Sequence, residues 1–390
     1  MGEETSPPGA AARIVLAAIE AHGPQSRKQL ASSCDLPTTT VTSATGRLLA
    51  LGLLEELTPH RTAGSRGRPP RVLTLPARRP VAALVVGHQT LQAAVVTVDG
   101  VVQAGRSAAF EPFESDDVVG PACDLLEQVL QESGTSSRDL VGAVLSLPRP
   151  YLAGHRGPWR AAGPTSGPRW FTTDPAPDLR RRLKVPAVAE NDANLAALGE
   201  AVHGAARGMR DVIHIKLVPG LGVGLVVNGD IVRGARGQAG ELGHLQLDEH
   251  GPVCVCGSRG CLVKVLNNHE IVEALRPSYP QALTFEDVVS LASGGEPAVH
   301  RVLGDLGRAL GPSMAASIAL VDPEAVVVDG SLGAGAAPFI EGLREAVGRR
   351  LPPYAAQSVR YLHGVLADQA ELLGAAALAA QVHLYRRKPA

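Results

Sequence analysis

Several things are missing from this chain of 390 residues, and each absence closes a class. No run reaches the roughly 18 consecutive apolar residues that a membrane-crossing helix needs, so no span is expected. Cysteine is scarce. Five in the whole chain make no disulfide framework, and Cys34 and Cys123, isolated in sequence, read as small buried residues of a reducing compartment. Net charge is close to nil, at −1, so no global field draws the chain to a polyanion. The start, Met-Gly-Glu-Glu, is acidic and poor in apolar residues, which is not the pattern of a signal peptide, and it is a weak myristoylation signal. A cytoplasmic protein is expected.

What is present suffices for a packed globular body. Hydrophobic residues are 45% and charged residues 19%, and the length suggests two or three domains. Charge is unevenly placed. Up to residue 80, ten Arg and Lys oppose six Asp and Glu, a surplus of +4, which leaves −5 for the remainder. A basic front on an acidic body points to a polyanion at the front.

Residues 1–10, polar with Pro7-Pro8, read as a disordered tail. From Ala11, Ile14, Val15, Ala18 and Ile19 recur at helical spacing, and the helix stops near Gly23-Pro24. Ser26-Arg-Lys-Gln29 is a capping box that opens a second helix. A third runs from about Pro37 to Ala50, with Val41, Ala44 and Leu48 on one face. Its other face shows Thr39, Thr40, Thr42, Ser43 and Arg47, short donors and acceptors suited to base edges and phosphates. A strand near Gly52–Leu57, a loop holding Arg66-Gly-Arg68-Pro-Pro-Arg71 and a strand at Val72–Leu75 complete residues 11–78. Three helices and an arginine-tipped hairpin predict a winged helix-turn-helix that binds double-stranded operator DNA. Its third helix would enter the major groove, with Arg66 and Arg68 on phosphate or in the minor groove.

From Val81 strands and helices alternate. Strands are expected at 81–87, 92–98, 101 onward and 141–147, with a helix at 116–132, giving a mixed α/β lobe over 81–193. A second lobe over 194–366 is expected to carry the dimerisation surface, and a terminal helix, 367–386, rejoins the first. Within the second lobe, Gly240-Glu-Leu-Gly-His244 is followed by Cys254-Val-Cys256-Gly-Ser-Arg-Gly-Cys261. One imidazole and three thiols at C-x-C-x4-C spacing form a closed tetrahedral set for a structural Zn²⁺, with ligands His244, Cys254, Cys256 and Cys261. Asn191-Asp192-Ala-Asn194 stands where a strand gives way to a helix, with the helix starting at about Asn194. The turn Gly220-Leu-Gly222-Val-Gly224 can bring backbone N–H groups against phosphate.

Taken together, these strings resemble the repressor, open-reading-frame, kinase (ROK) family, in its regulator branch. The resemblance covers about residues 11–385. It implies an actin-like, ribonuclease-H-like ATPase fold of two lobes around a cleft. It also implies that Asn191, Asp192, Glu241 and His244 contact a sugar, with Asp192 in the place of the kinase base. His244 would bind zinc through one ring nitrogen and a hydroxyl through the other. Val326-Val-Val-Asp-Gly330-Ser-Leu-Gly333 matches a strand and turn that pass adenosine in the kinases. In this family the first phosphate loop reads Asp-x-Gly-Gly-Thr, and here Val85, His88 and Gln89 replace the Asp, the second Gly and the Thr. A valine cannot hold Mg²⁺. Leu221 stands for the usual Thr, Val263 for a sugar-binding Glu and Arg149 for a Gly. Arg149, with Arg156, Arg160 and Arg169, reads either as surface cations or as contacts for an acidic ligand.

The expectation is therefore a bacterial, nucleoid-associated regulator, a repressor acting as a homodimer or homotetramer. A sugar or sugar phosphate would bind in a kinase-like cleft that has lost phosphoryl transfer. The alternatives are a sugar kinase of the same family, or a regulator whose vestigial cleft has been superseded by a protein partner.

Overall fold

A computed structural model of the chain describes residues 10–50, 54–57, 71–74, 79–151, 168–217, 220–279 and 281–384. Of the expected tail at 1–10, residues 1–9 lie outside them and Ala10 opens a helix; the wing tip at 61–70, with Arg66 and Arg68, lies outside them, as do Arg156 and Arg160.

The front forms as its apolar periodicity requires. Helices α1 (Ala10–His22), α2 (Arg27–Ser33) and α3 (Thr38–Ala50) pack around Val15, Leu16, Ile19, Leu30, Val41 and Leu48. The Ser26 hydroxyl accepts from Gln29 N–H, and the Gln29 side chain accepts from Ser26 N–H, so the capping box closes as the sequence indicates. A small antiparallel sheet, in the order β1 (Gln25–Ser26), β3 (Val72–Thr74), β2 (Glu55–Leu57), lies beside the helices. Glu56 on β2 pairs with Arg27 at 2.6 Å and with Arg71 at 2.7 Å. Two of the basic residues counted at the front thus serve the fold. Cys34 is half-buried, more exposed than its sequence context suggested, while Cys123 is buried.

The body holds two five-stranded sheets. The first has the order β6 (Val102–Ala109), β5 (Thr90–Thr97), β4 (Pro80–Val86), β7 (Ala143–Leu147), β8 (Ala187–Asn191). Its β4–β7–β8 side is parallel, and its β4–β5–β6 side is an antiparallel meander. Strand β4 is buried almost throughout, as a central strand covered on both faces must be. Helices α4 (Val119–Ser133) and α5 (Ala176–Leu183) cover one face. The second sheet runs β11 (Asp230–Ile231), β10 (Gly222–Val227), β9 (Val212–Lys216), β12 (Ala325–Val328), β13 (Arg360–His363). On one face it carries α7 (Asn268–Leu275), α8 (Phe285–Ser293), the 25-residue α9 (Pro297–Val321) and α10 (Ala336–Gly348). The short α11 (Pro353–Ser358) leads into β13. Among the described residues, no helix is long and apolar enough to cross a membrane.

Two helices join the sheets. Helix α6 (Asp192–Val202) packs on β9 and β10, while α12 (Ala370–Leu384) packs on β4, β5 and β7, and the two lie against each other. Their crossing is closer than side chains permit. A Cβ on Gly374 would stand 1.9 Å from Leu195 O, and one on Gly199 would stand 2.1 Å from Ala370 O. Gly374→Ala sets a methyl against backbone that cannot swing aside. Destabilisation of about 3 kcal/mol or more is expected from overpacking, read as a lower urea midpoint with little change in slope.

Candidate ligand cleft and metal centre

The cleft residues gather where β8 ends and α6 begins. The helix starts at Asp192, two residues earlier than the sequence indicated, because Asn191 is its cap: the Asn191 side-chain oxygen accepts from Asn194 N–H at 3.0 Å. The Asn191 amide donates to Arg149 O and to Asp192 Oδ1, each at 3.1 Å. Asp192 Oδ1 also accepts from its neighbour Ala193 N–H at 2.8 Å. Its other oxygen, Oδ2, takes Lys216 Nζ at 2.7 Å. Both oxygens of the residue matched to the kinase base are therefore engaged within the protein.

Lys216 belongs to none of the sequence motifs. It sits at the end of β9 and also donates to Glu371 Oε1 on α12 at 2.6 Å, while Ser146 Oγ on β7 donates to Glu371 Oε2 at 2.5 Å. The ammonium thus ties the second sheet to the start of both inter-sheet helices and, through Glu371, to the first sheet. All three ionic side chains are about 85% buried. Asp192 and Glu371 together hold the Lys216 proton well above the ordinary lysine range, against desolvation that acts to remove it. Burial raises the Glu371 carboxyl. The sequence signal for Lys216 was slight: one charged residue at the end of an apolar strand.

Glu241 and His244 come into the same region from a short 3-10 turn, Leu242–His244, with His244 Nε2 at 4.0 Å from Glu241 Oε2. Burial, with the Asp192 charge behind it, pushes the Glu241 carboxyl up to about 7. The other ring nitrogen, His244 Nδ1, faces Cys254 Sγ at 3.6 Å, and Cys256 Sγ lies 3.6 Å from Cys261 Sγ. The four ligand atoms fall within 4.8 Å of one another. Donors about 2.0–2.3 Å from a tetrahedral Zn²⁺ stand at such separations, so the set fits a metal ion. Burial and the neighbouring Cys256 and Cys254 push the Cys261 thiol up to about 12. A bound cation reverses that bias by favouring thiolate.

Other sequence assignments change. Gly224, placed on a phosphate-binding turn, lies in β10, where a Cβ would meet Ala193 O at 2.1 Å; the glycine lets α6 approach the sheet. Arg149 is neither a surface cation nor a reachable ligand contact. It is 5% exposed, stacked 5.7 Å from the Tyr151 ring and 5.8 Å from the Trp170 ring, and donates to the carbonyls of Pro150, Trp170 and Thr173. Burial lowers its guanidinium to about 10, so it stays charged at neutral pH. Arg169 is exposed, and its backbone N–H donates to Asp116. Val85 is a buried β4 residue, and His88 and Gln89 are exposed in the β4–β5 turn, with the His88 ring 5.2 Å from Phe113. Val263 lies against Gly220 and Gly243. Asp329, in the turn matched to the adenosine contact, accepts from Leu217 and Ser331 N–H groups, locking β12 to β9.

On the front, the α3 residues Thr39, Thr42, Ser43 and Arg47 are exposed and Thr40 is half-buried. The Thr42 hydroxyl donates to Thr38 O.

Two sheets joined by a helix pair, with a Cys₃His knuckle beside the junction, define a two-lobed body of the actin-like, sugar-kinase type. The model described as "ROK family" matches residues 114–382, and the chain belongs to that family. It is 23% identical over 363 residues to the xylose repressor of Bacillus subtilis, which covers 93% of this chain and 92% of the repressor. It is 30% identical over 226 residues to the glucokinase of Thermotoga maritima, across 54% of this chain and 71% of the enzyme. Among solved structures it superposes on a ROK-family transcriptional regulator, a homologue of the Escherichia coli MLC protein. The TM-score is 0.78 at 25% identity, over 96% of both chains.

Two outcomes test this geometry. Cys256→Ala should reduce bound metal from one ion per chain to none by elemental analysis and lower the melting temperature; full metal retention refutes the ligand set. Glu241 has a raised folded value, so the native state binds more protons than the unfolded chain between about 4.5 and 7, and its contribution to stability falls as pH rises through that window. Glu241→Gln should flatten that part of the stability profile relative to the parent, as read by urea titrations at a series of pH values.

Proposed function

We propose that this protein is a sugar-responsive transcriptional regulator, a repressor without kinase activity. Residues 11–78 would act as a winged helix-turn-helix, with Thr39, Thr40, Thr42, Ser43 and Arg47 of α3 at the major groove and Arg66 and Arg68 at the wing. What chiefly supports the reading is the similarity to a repressor over 93% of the chain, whereas the similarity to kinases covers 54% of it in sequence and 77–79% in structure. The engaged carboxylate of Asp192 and the buried Val85 support the loss of phosphoryl transfer: proton acceptance would require breaking the Lys216 pair, and no acid stands in the phosphate loop.

In this reading Asn191, Asp192, Glu241 and His244 hold sugar hydroxyls. The metal is zinc, bound by His244, Cys254, Cys256 and Cys261, and when present it supplies four-coordinate rigidity with no open position. It fixes the His244 ring so that Nε2 and Glu241 face the ligand. Ligand shifts the two sheets about the α6–α12 contact, and that shift changes the placement of paired heads on a two-fold operator. A homodimer or homotetramer in the bacterial cytoplasm meets this requirement.

Three measurements on the full chain examine the reading. Genomic fragments selected by the protein should be released by a sugar, and no ADP should form with ATP and the same sugar. Arg47→Ala should weaken operator binding about tenfold and reduce the dependence of log affinity on log salt by about one. An unchanged salt slope removes α3 from the interface, and sugar-dependent ADP release at kinase rates overturns the whole proposal.

A further inference from the structure

Resting on the sugar-cleft reading above, we infer that the effector is an uncharged sugar and that the Lys216–Glu371 pair is the device that excludes phosphorylated ones. Among the described residues, the side-chain cations nearest this junction are largely taken up by the protein itself. Three cations touch the candidate residues or their immediate neighbours. Lys216 is shared between Asp192 at 2.7 Å and Glu371 at 2.6 Å. Arg233 is paired at 2.5 Å with Glu190, whose side chain is 1% exposed and which also accepts from Asn191 N–H and the Asn194 amide. Arg149 is 5% exposed and its two terminal nitrogens donate to three carbonyls; only its buried Nε is without a partner, so burial rather than pairing keeps a ligand from it.

The helix starts are spent as well. A helix N-terminus attracts anions through its unpaired N–H groups. Here α6 carries Asp192, and α12 carries Glu371, in their own first turns. Two carboxylates against one ammonium leave the junction with one surplus negative charge in a mostly buried setting. A phosphate brought beside Asp192 meets that charge and, among the described residues in contact with Asp192, finds no cation that is not already paired. A neutral sugar does not face this cost, because its hydroxyls can donate to the same carboxylates. The exposed turn at His88 and Gln89 and the valine at 263 add no cation.

Glu371 lies on α12, away from the motif residues, so its role is specificity through Lys216: it uses the half of the ammonium that would otherwise face an anion. Glu371→Gln keeps the shape and the oxygen that accepts from Lys216 but removes the surplus charge.

The test is calorimetry on the full chain with xylose, glucose and N-acetylglucosamine, with glucose 6-phosphate and N-acetylglucosamine 6-phosphate, and with inorganic phosphate alone. The wild-type chain should bind one of the neutral sugars and give no saturable heat with inorganic phosphate. Where a sugar and its phosphate can be compared, the neutral form should be favoured by about a hundredfold. Glu371→Gln, verified as folded by its melting curve and by retained operator binding, should narrow that preference about tenfold or gain phosphate binding.

Saturable phosphate binding by the wild-type chain that is lost in Lys216→Met overturns the inference. So does tighter binding of a sugar phosphate than of its parent, or an unchanged preference in Glu371→Gln. In those cases the regulator reading survives. A chain that holds its operator but binds no sugar of either kind removes the sugar-cleft reading, and this inference falls with it.

Discussion

The closeness of α6 to α12 is the constraint on which the rest of the body depends. Each helix packs mainly on a different sheet, so their crossing is a principal tie between the two sheets. At Gly374 and Gly199 the opposing backbones come within about 2 Å of where a Cβ would stand, leaving no layer of side chains between the helices. Such a contact is stiff along its length but can act as a pivot, since backbone-to-backbone packing resists separation more than it resists small rotations. Glu200, fully buried on α6, reinforces it by accepting from Leu366 N–H just before α12.

The ionic bridge stands at one end of that crossing. Lys216 reaches from β9 to the first turns of both helices, and Glu371 carries the link on to Ser146 in the other sheet. A buried pair of this kind adds little net stability over apolar packing, but breaking one partner is costly, so it selects one relative placement of the sheets. In a phosphotransferase of this architecture the carboxylate at Asp192 must be free to take a proton. Here both of its oxygens are engaged within the protein, in keeping with the proposed loss of phosphoryl transfer. The Cys₃His cluster, which could hold a metal ion, is the other candidate fixed point, because His244 belongs to it and lies 4.0 Å from Glu241.

Much of this was legible beforehand. The capping box at Ser26–Gln29, the buried stripe Val41–Ala44–Leu48, the first strands of the body and the convergence of His244 with three cysteines are local or short-range patterns. Periodicity and spacing encode such features directly. Misreadings came where a residue type has two uses. Gly224 looked like a phosphate turn and is a helix contact, and Arg149 looked like a surface or ligand cation and is a buried brace.

The sequence by itself determined which elements form, which face of each is apolar, and which four side chains can hold a metal ion. These follow from bond geometry and from hydrophobic periods within a few residues. Only the tertiary structure decided that Lys216 meets both Asp192 and Glu371, 24 and 155 positions away. Nothing in the local context of any of the three records the others. The three meet only because α6 and α12 bring two distant helix starts to one strand end, where water is too scarce to stand in for a partner.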